Sequence, residues 1–287
     1  MKRLALSALL LAIVVVWGWT FALMKDAVAA YGVVAFLAVR YVIGSAAIAP
    51  FAARRADWRT LEAGGLIGLV LAAAYLLQTF GLRHTTASNT GVITGLFVVF
   101  VPLANRALFG LRTPGLVWAT IAASLVGLGL LSGAAPGGLA LGDVLTVGAA
   151  ACFGLHVALL GRYASRYDAG ALAFGQLLAA TLVFLAACPL AGLPTWPTPA
   201  IWFALAVTGV VATAAGFYVQ TYVQQRLPAV QAAMIILLEP LFAALFGYLL
   251  AGDRLTGVQI AGALLITGSV AVAEVYPLVR RGRAVPA

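Results

Sequence analysis

Residues 75–95 read YLLQTFGLRHTTASNTGVITG, and residues 217–237 read FYVQTYVQQRLPAVQAAMIIL. A constant offset of 142 lays Tyr75 on Phe217, Gln78 on Gln220, Thr79 on Thr221 and Asn89 on Gln231. The same offset carries Arg112 onto Arg254 and Gly115 onto Gly257. Nearer the N-terminus the offset is 136, pairing Trp17-Gly18 with Phe153-Gly154 and Arg40 with Gln176. One unit is written twice, and both copies are deeply apolar. Duplication of this kind points to a transporter built from repeats.

The chain is 64% hydrophobic and 9% charged, with a mean hydropathy of +1.08. A soluble domain of 287 residues could not stay dissolved with so little polar surface. A helix crossing a bilayer needs roughly 20 mostly apolar residues. Ten such spans are predicted, near residues 4–24, 32–52, 61–81, 87–108, 114–132, 142–161, 170–190, 200–222, 229–250 and 256–275. Within lipid each backbone amide must be paired inside its own segment, so the spans are expected to be helices. The expected class is an all-α integral membrane protein, its partner the lipid bilayer.

The formal charge of +9 does not argue for nucleic acid, because the basic residues are scattered through short loops. With the N-terminus inside, thirteen of the 17 basic residues fall on the cytoplasmic side, from Lys2 and Arg3 to Arg280, Arg281 and Arg283. Lys25, Arg83 and Arg254 fall outside, and Arg40 lies within a span. That bias predicts a multi-pass protein of the cell's inner membrane with both termini cytoplasmic. The first segment has a basic start and an Ala27-Val28-Ala29 site, like a signal peptide. Its apolar run is too long for one, and it contains Trp17 and Trp19. Cys152 and Cys188 both fall in spans and read as small packing residues.

Two units follow: residues 1–132 with spans one to five, and residues 142–275 with spans six to ten. A basic cytoplasmic tail, 276–287, closes the chain. Five is odd, so the second copy enters from the opposite side and the repeats are inverted. The uncharged, Gly- and Pro-rich stretch 132–141 is the boundary. Gly64, Gly68 and Ala72 in the third span, and Gly115, Ala119, Ala123 and Gly127 in the fifth, form small-residue faces for close helix packing. Packing within a monomer is expected first; the second stripe also allows a weak homodimer.

The polar groups inside the spans define a candidate pocket. Arg40 in span two and Glu239 in span nine are the clear intramembrane charges, and each needs a cavity or a partner. Either they form a substrate or proton site, or they pair with each other or with backbone carbonyls and hold the helices together. His156 in span six reads as a proton carrier or as a hydrogen-bonded core group. Tyr75 with Gln78, and Phe217 with Gln220, put an aromatic and an amide on one helix face in each copy. Thr213 shares the second face. These amides suit the polar end of a small metabolite or serve as glue between helices. Trp17, Thr20 and Met24 form a stripe too deep for an interfacial belt and read as a cavity wall or helix packing. Pro102 and Pro240 are expected to bend spans four and nine.

The residues resemble the drug/metabolite transporter superfamily, in particular its members with two EamA domains. The matching stretches are Val16-Trp17-Gly18-Trp19, Ala38-Val39-Arg40-Tyr41, Thr86-Ala87-Ser88-Asn89 and the run from Ile93 to Pro102. Leu237-Leu238-Glu239-Pro240-Leu241-Phe242 resembles the family's Glu-Pro signature. Gly252-Asp253-Arg254-Leu255 resembles its Gly-Glu-Arg turn, with Asp in place of Glu. The resemblance covers nearly the whole chain. It implies ten helices, termini inside, a central pocket between the halves and export of small metabolites, amino acids being the commonest class. Within the family the chain looks most similar to exporters of aromatic or broadly chosen amino acids. The pocket residues then expected are Trp17, Thr20, Arg40, Tyr75, Gln78, Asn89, His156, Phe217, Gln220 and Glu239.

Other functions are set against this. An enzyme needs a catalytic constellation, and no Gly-x-Ser-x-Gly, His-Glu-x-x-His or intramembrane aspartate pair is present. His84 and His156 alone make no zinc site, so no metal and no cofactor are expected. A channel needs rings of like charge or carbonyl filters. A multidrug or quaternary-ammonium exporter needs an acidic aromatic pocket, which Glu239 supplies and Arg40 weakens. A nucleotide-sugar carrier needs several intramembrane cations, and Arg40 is one.

Overall fold

The computed structural model describes residues 2–84, 87–132, 141–191, 194–250 and 254–282. The regular structure among the described residues is all helical, with no strand. The helices are α1 (Lys2–Tyr31), α2 (Val33–Ala52), α3 (Trp58–Leu82), α4 (Ala87–Gly95), α5 (Phe97–Phe109) and α6 (Gly115–Ser132) in the first half. The second half holds α7 (Leu141–Tyr163), α8 (Ala169–Ala191), α9 (Pro199–Ala206), α10 (Gly216–Gln224), α11 (Ala229–Ile236), α12 (Glu239–Leu250) and α13 (Gly257–Gly282). A nine-residue π segment, Val207–Ala215, joins α9 to α10. Eight stretches are long and apolar enough to cross a membrane, and Ile93–Phe109 and Gly115–Leu131 are shorter apolar helices. Outside the described residues lie Thr86 of the motif opening span four, most of the boundary 132–141, Gly252-Asp253 of the second-half turn and the end of the basic tail.

Helix ends follow local chemistry. Gly32 breaks α1 from α2 at a φ of 88°, and Gly110 closes α5 at a φ of 67°, a left-handed backbone that glycine adopts without strain. Asp57 caps α3 by accepting from Thr60 N at 2.8 Å. The Thr60 hydroxyl and amide bonded to it hold its carboxyl below the usual range. Asp168 caps α8 by accepting from Ala171 N at 3.0 Å. Thr198 caps α9, with Pro199 at the first position, where its missing N–H is harmless. The first helix runs past residue 24, so Ala27-Val28-Ala29 is helical, with Ala27 and Val28 buried.

Spans four and nine break at one repeat position, and proline is not at either break. Leu96 N bonds Ile93 O at 3.1 Å, and Leu238 N bonds Ile235 O at 3.1 Å. Both are one-residue-tight turns, and Leu96 and Leu238 are 142 apart. Pro102 lies inside α5, six residues beyond the break. Pro240 lies in the first turn of α12, where a helix lacks amide partners anyway. The expected bend at Glu239-Pro240 is therefore a helix start that immediately follows the turn. The span expected across 200–222 is helical, with the π segment in its middle.

Packing is built on small residues. A Cβ at Gly64 would lie 2.9 Å from Gly175 Cα, and one at Gly68 would run into the Gln176 backbone, so α3 lies directly on α8. Gly127 and Gly262 let α6 meet α13, whereas Gly115 faces open space. The fifth-span stripe is thus an internal contact at its C-terminal end. A Cβ at Gly18 would fall 2.5 Å from Phe242 Cβ and 3.0 Å from Glu239 O; one at Gly154 would meet Phe100 Cβ and lie 3.0 Å from Phe97 O. Gly18 and Gly154 are repeat equivalents, as are Phe242 and Phe100, and Glu239 and Phe97. Ser45 and Thr181, 136 apart, share a hydrogen bond of 2.9 Å. The free cysteines are half-buried Cys152 and buried Cys188, the latter donating to Phe184 O at 3.3 Å.

Candidate functional site

A cavity of about 80 Å³ lies at the centre, between the two halves. Nine of the ten expected pocket residues line it: Trp17, Thr20, Arg40, Tyr75, Gln78, His156, Phe217, Gln220 and Glu239. The side chain of the tenth, Asn89, lies outside the described residues. The wall also includes Met24, Leu71, Thr94, Phe97, Phe153, Val157 and Ile236. Carrying the repeat offsets through the expected residues would have nominated two of these, because Phe153 is the equivalent of Trp17 and Phe97 of Glu239; Thr94 and Ile236 are a matched pair that the sequence reading did not single out. Thr20 and His156 are a further pair. Each half therefore supplies the same positions with different chemistry.

Arg40 is 2% exposed. Its Nε donates to Thr213 Oγ1 at 2.7 Å, and one terminal nitrogen donates to Met24 Sδ at 3.2 Å. Its guanidinium carbon stands 5.3 Å from the Tyr75 ring centre and 5.8 Å from that of Tyr41, within cation–π range. Arg40 and Glu239 make no ion pair within 4.0 Å; among the described residues the ion pair present is Arg55–Asp168 at 3.5 Å. The direct pairing that two opposite intramembrane charges suggest is thus not formed. Thr213 and the rings hold the guanidinium instead. Glu239 faces the cavity with no hydrogen bond to any described residue, and the Arg40 guanidinium lies beside the Tyr75 side chain.

The π segment explains why Arg40 and Trp17 find partners there. A π turn shifts the backbone ladder by one residue and turns hydroxyls and carbonyls toward neighbouring helices. Trp17 Nε1 donates to Ala212 O at 2.8 Å, beside Thr213. Gly216 lies against the Trp17 indole, and Gly44 against the Thr213 methyl. The sequence hinted at this only through the small and hydroxyl residues between Val207 and Ala215.

His156 is buried and its Nε2 lies 2.9 Å from Gln176 Oε1. Gln176 Nε2 in turn donates to Thr221 Oγ1 at 3.2 Å and Leu172 O at 3.3 Å. Gln176 is the repeat equivalent of Arg40, so one half carries a cation where the other carries an amide tied to a histidine. Gln78 Nε2 donates to Thr94 Oγ1 at 3.1 Å. Gln220 Nε2 donates to Gln224 Oε1 at 3.0 Å, and Gln224 Nε2 to Val157 O at 2.9 Å. Gln78 thus ties α3 to α4, whereas Gln220 bonds within α10 and it is Gln224 that reaches α7; neither Gln78 nor Gln220 has a partner for its carbonyl oxygen among the described residues.

The apolar part is a ring cage. Trp17 and Phe217 centroids lie 5.8 Å apart, Tyr75 and Phe153 5.2 Å, and the equivalent residues Tyr75 and Phe217 6.3 Å. The arrangement pairs a fixed cation and a carboxylate with an aromatic wall, which suits a small molecule bearing both charges and an apolar body.

The chain belongs to the EamA-like transporter family, whose model matches residues 5–133 and again 140–274. An uncharacterized transporter of Archaeoglobus fulgidus is 30% identical over 274 residues, covering 94% of this chain and 86% of that protein. The threonine/homoserine exporter RhtA of Salmonella typhimurium is 29% identical over 119 residues, covering 42% of this chain and 40% of RhtA. A solved crystal structure superimposes with a TM-score of 0.79 at 22% identity, over 94% of this chain and 98% of that one, which shows the shared fold.

Proposed function

We propose that this protein exports amino acids, aromatic or of broad range, across the inner membrane by alternating access. In this reading it is a ten-helix protein of two inverted five-helix repeats with both termini in the cytoplasm. The observation that carries the substrate class is the separation of Arg40 from Glu239 on one cavity wall. A zwitterion fits that gap: its carboxylate accepts from the Arg40 guanidinium, and its ammonium meets Glu239. The side chain then rests on Trp17, Phe153 and Phe217, and the open carbonyls of Gln78 and Gln220 accept from remaining N–H groups. Similarity to part of a threonine/homoserine exporter supports an amino-acid cargo. The inverted arrangement draws support from the matched contacts of Gly18 and Gly154, and the orientation from the basic residues.

A cavity bounded by both halves changes its opening when one half rocks against the other. The tight turns at Leu96 and Leu238 give both halves a hinge at one repeat position. Proteoliposomes loaded with labelled threonine or phenylalanine, with a viologen cation or with a nucleotide sugar test the reading. Saturable efflux of amino acids is expected. Transport of the viologen or the nucleotide sugar without amino-acid efflux would replace it with one of the other exporter classes.

A further inference from the structure

A second, larger cavity of about 930 Å³ opens on the outside of the bundle, where α2 and the start of α8 face the π segment and α10. Its wall changes character along its length. Deep in the span it is apolar, with Ala47, Ile48, Val210 and Ala214. At the helix ends it carries Arg54, Arg55 and Arg226. Tyr218 and Tyr222, stacked 6.3 Å apart, stand between the two zones.

The basic end has a net positive charge. Asp168 is the acid on this wall, and Arg55 and the α8 cap already engage it. One terminal nitrogen of Arg226 donates to Tyr222 O at 2.9 Å and Gln225 Oε1 at 2.8 Å, and the guanidinium lies 4.0 Å over the Tyr222 ring. The group is thereby fixed, while its other terminal nitrogen has no partner among the described residues. Such a planar fork suits a phosphate. The apolar end is open at its outer edge, where Val210 is 44% and Tyr218 41% exposed.

Dimensions match one leaflet. Ala214 to Tyr222 spans roughly 12 Å of helix, close to half of a hydrocarbon core of about 30 Å. Arg226 lies one turn further, at headgroup height.

We propose that this groove binds one anionic phospholipid, its phosphate on Arg54, Arg55 and Arg226 and an acyl chain along the seam between α2 and α10. Charge complementarity selects an anionic over a zwitterionic headgroup, and the apolar seam selects a lipid over a free anion. The site is separate from the central cavity, so binding does not depend on which substrate is transported.

Native mass spectrometry of the full chain, released from micelles doped with phosphatidylglycerol or phosphatidylcholine, tests this. Wild type is expected to retain phosphatidylglycerol preferentially. Arg54→Gln, Arg55→Gln and Arg226→Gln combined should lower that retention by about tenfold or more, each arginine near the surface being worth roughly fivefold. Val210→Trp, which fills the seam from its exposed edge and leaves every charge in place, should lower it as well and guards against a triple variant that fails to fold. Equal retention of both lipids, or retention unchanged in either variant, would overturn the proposal. So would displacement of the lipid by millimolar inorganic phosphate, which would make the site one for a free anion.

Discussion

Arg40 and Thr213 are joined by a hydrogen bond of 2.7 Å that crosses from α2 to the π segment. A buried guanidinium is thus held by a hydroxyl from the other half of the chain, and the nearby carboxylate of Glu239 is left to the cavity. That relationship decides what the two intramembrane charges are expected to do when altered.

Arg40→Gln and Glu239→Gln should each fold and each lose transport. Removing one partner of a directly paired buried ion pair costs about 3–5 kcal/mol of stability, and no such contact is made here. Loss of a charge-assisted bond to substrate is worth about 1.5–3 kcal/mol, roughly 10- to 150-fold in affinity. Melting curves in detergent, read beside substrate affinity, check this for both singles and the double. Two unstable singles with a rescued double would mean that the charges pair.

Thr213→Val removes the acceptor of Arg40 Nε while keeping the side chain's shape. The stranded N–H should cost about 1–3 kcal/mol, visible as a lower melting temperature. Thr213→Ser keeps the hydroxyl and should restore most of the loss. Destabilisation by Thr213→Ser with none from Thr213→Val would show that the methyl contact with Gly44 matters and the hydrogen bond does not.

Gly68→Ala and Gly65→Ala form a controlled pair on α3. A Cβ at Gly68 meets the Gln176 backbone, whereas one at Gly65 meets nothing within 4 Å. Alanine at 65 should be neutral or stabilising by about 0.5–1 kcal/mol, the helix cost of glycine. Alanine at 68 should be destabilising, because backbone must move. Thermal melts that rank the two variants the other way would contradict the direct seating of α3 on α8.

Epitope tags at residues 1 and 287 should be protected from external protease in intact cells, if basic residues crowd the cytoplasmic side. Cleavage of either tag would rule out an even number of crossings with the N-terminus inside.

Much of the site was legible because duplication leaves paired polar residues in apolar helices. Gln78 and Gln220 stood out for that reason, and Arg40 and Glu239 stood out because charge inside a span is costly. What each group touches was not legible. Arg40 meets Thr213 within the π segment, whose wider turn leaves no periodic trace in hydrophobicity. The breaks at Leu96 and Leu238 were hidden for a similar reason: leucine favours helix, and tertiary packing overrides that preference. Prolines drew attention away, yet Pro102 is accommodated within α5 and Pro240 lies where its defect is harmless. Gln176 was visible as the equivalent of Arg40, but its link to His156 depends on how α7 and α8 both pack against α3.

The bond between Ser45 and Thr181 differs in kind from that between Arg40 and Thr213. Ser45 and Thr181 occupy one position of the duplicated unit, so each has its own counterpart as neighbour. If the two halves exchange shapes in the proposed alternating access, most contacts between them are traded for others, but a contact of a position with its counterpart maps onto itself. That hydroxyl pair would persist through a full cycle, and the seam of α2 against α8 would act as a fulcrum about which the remaining helices swing.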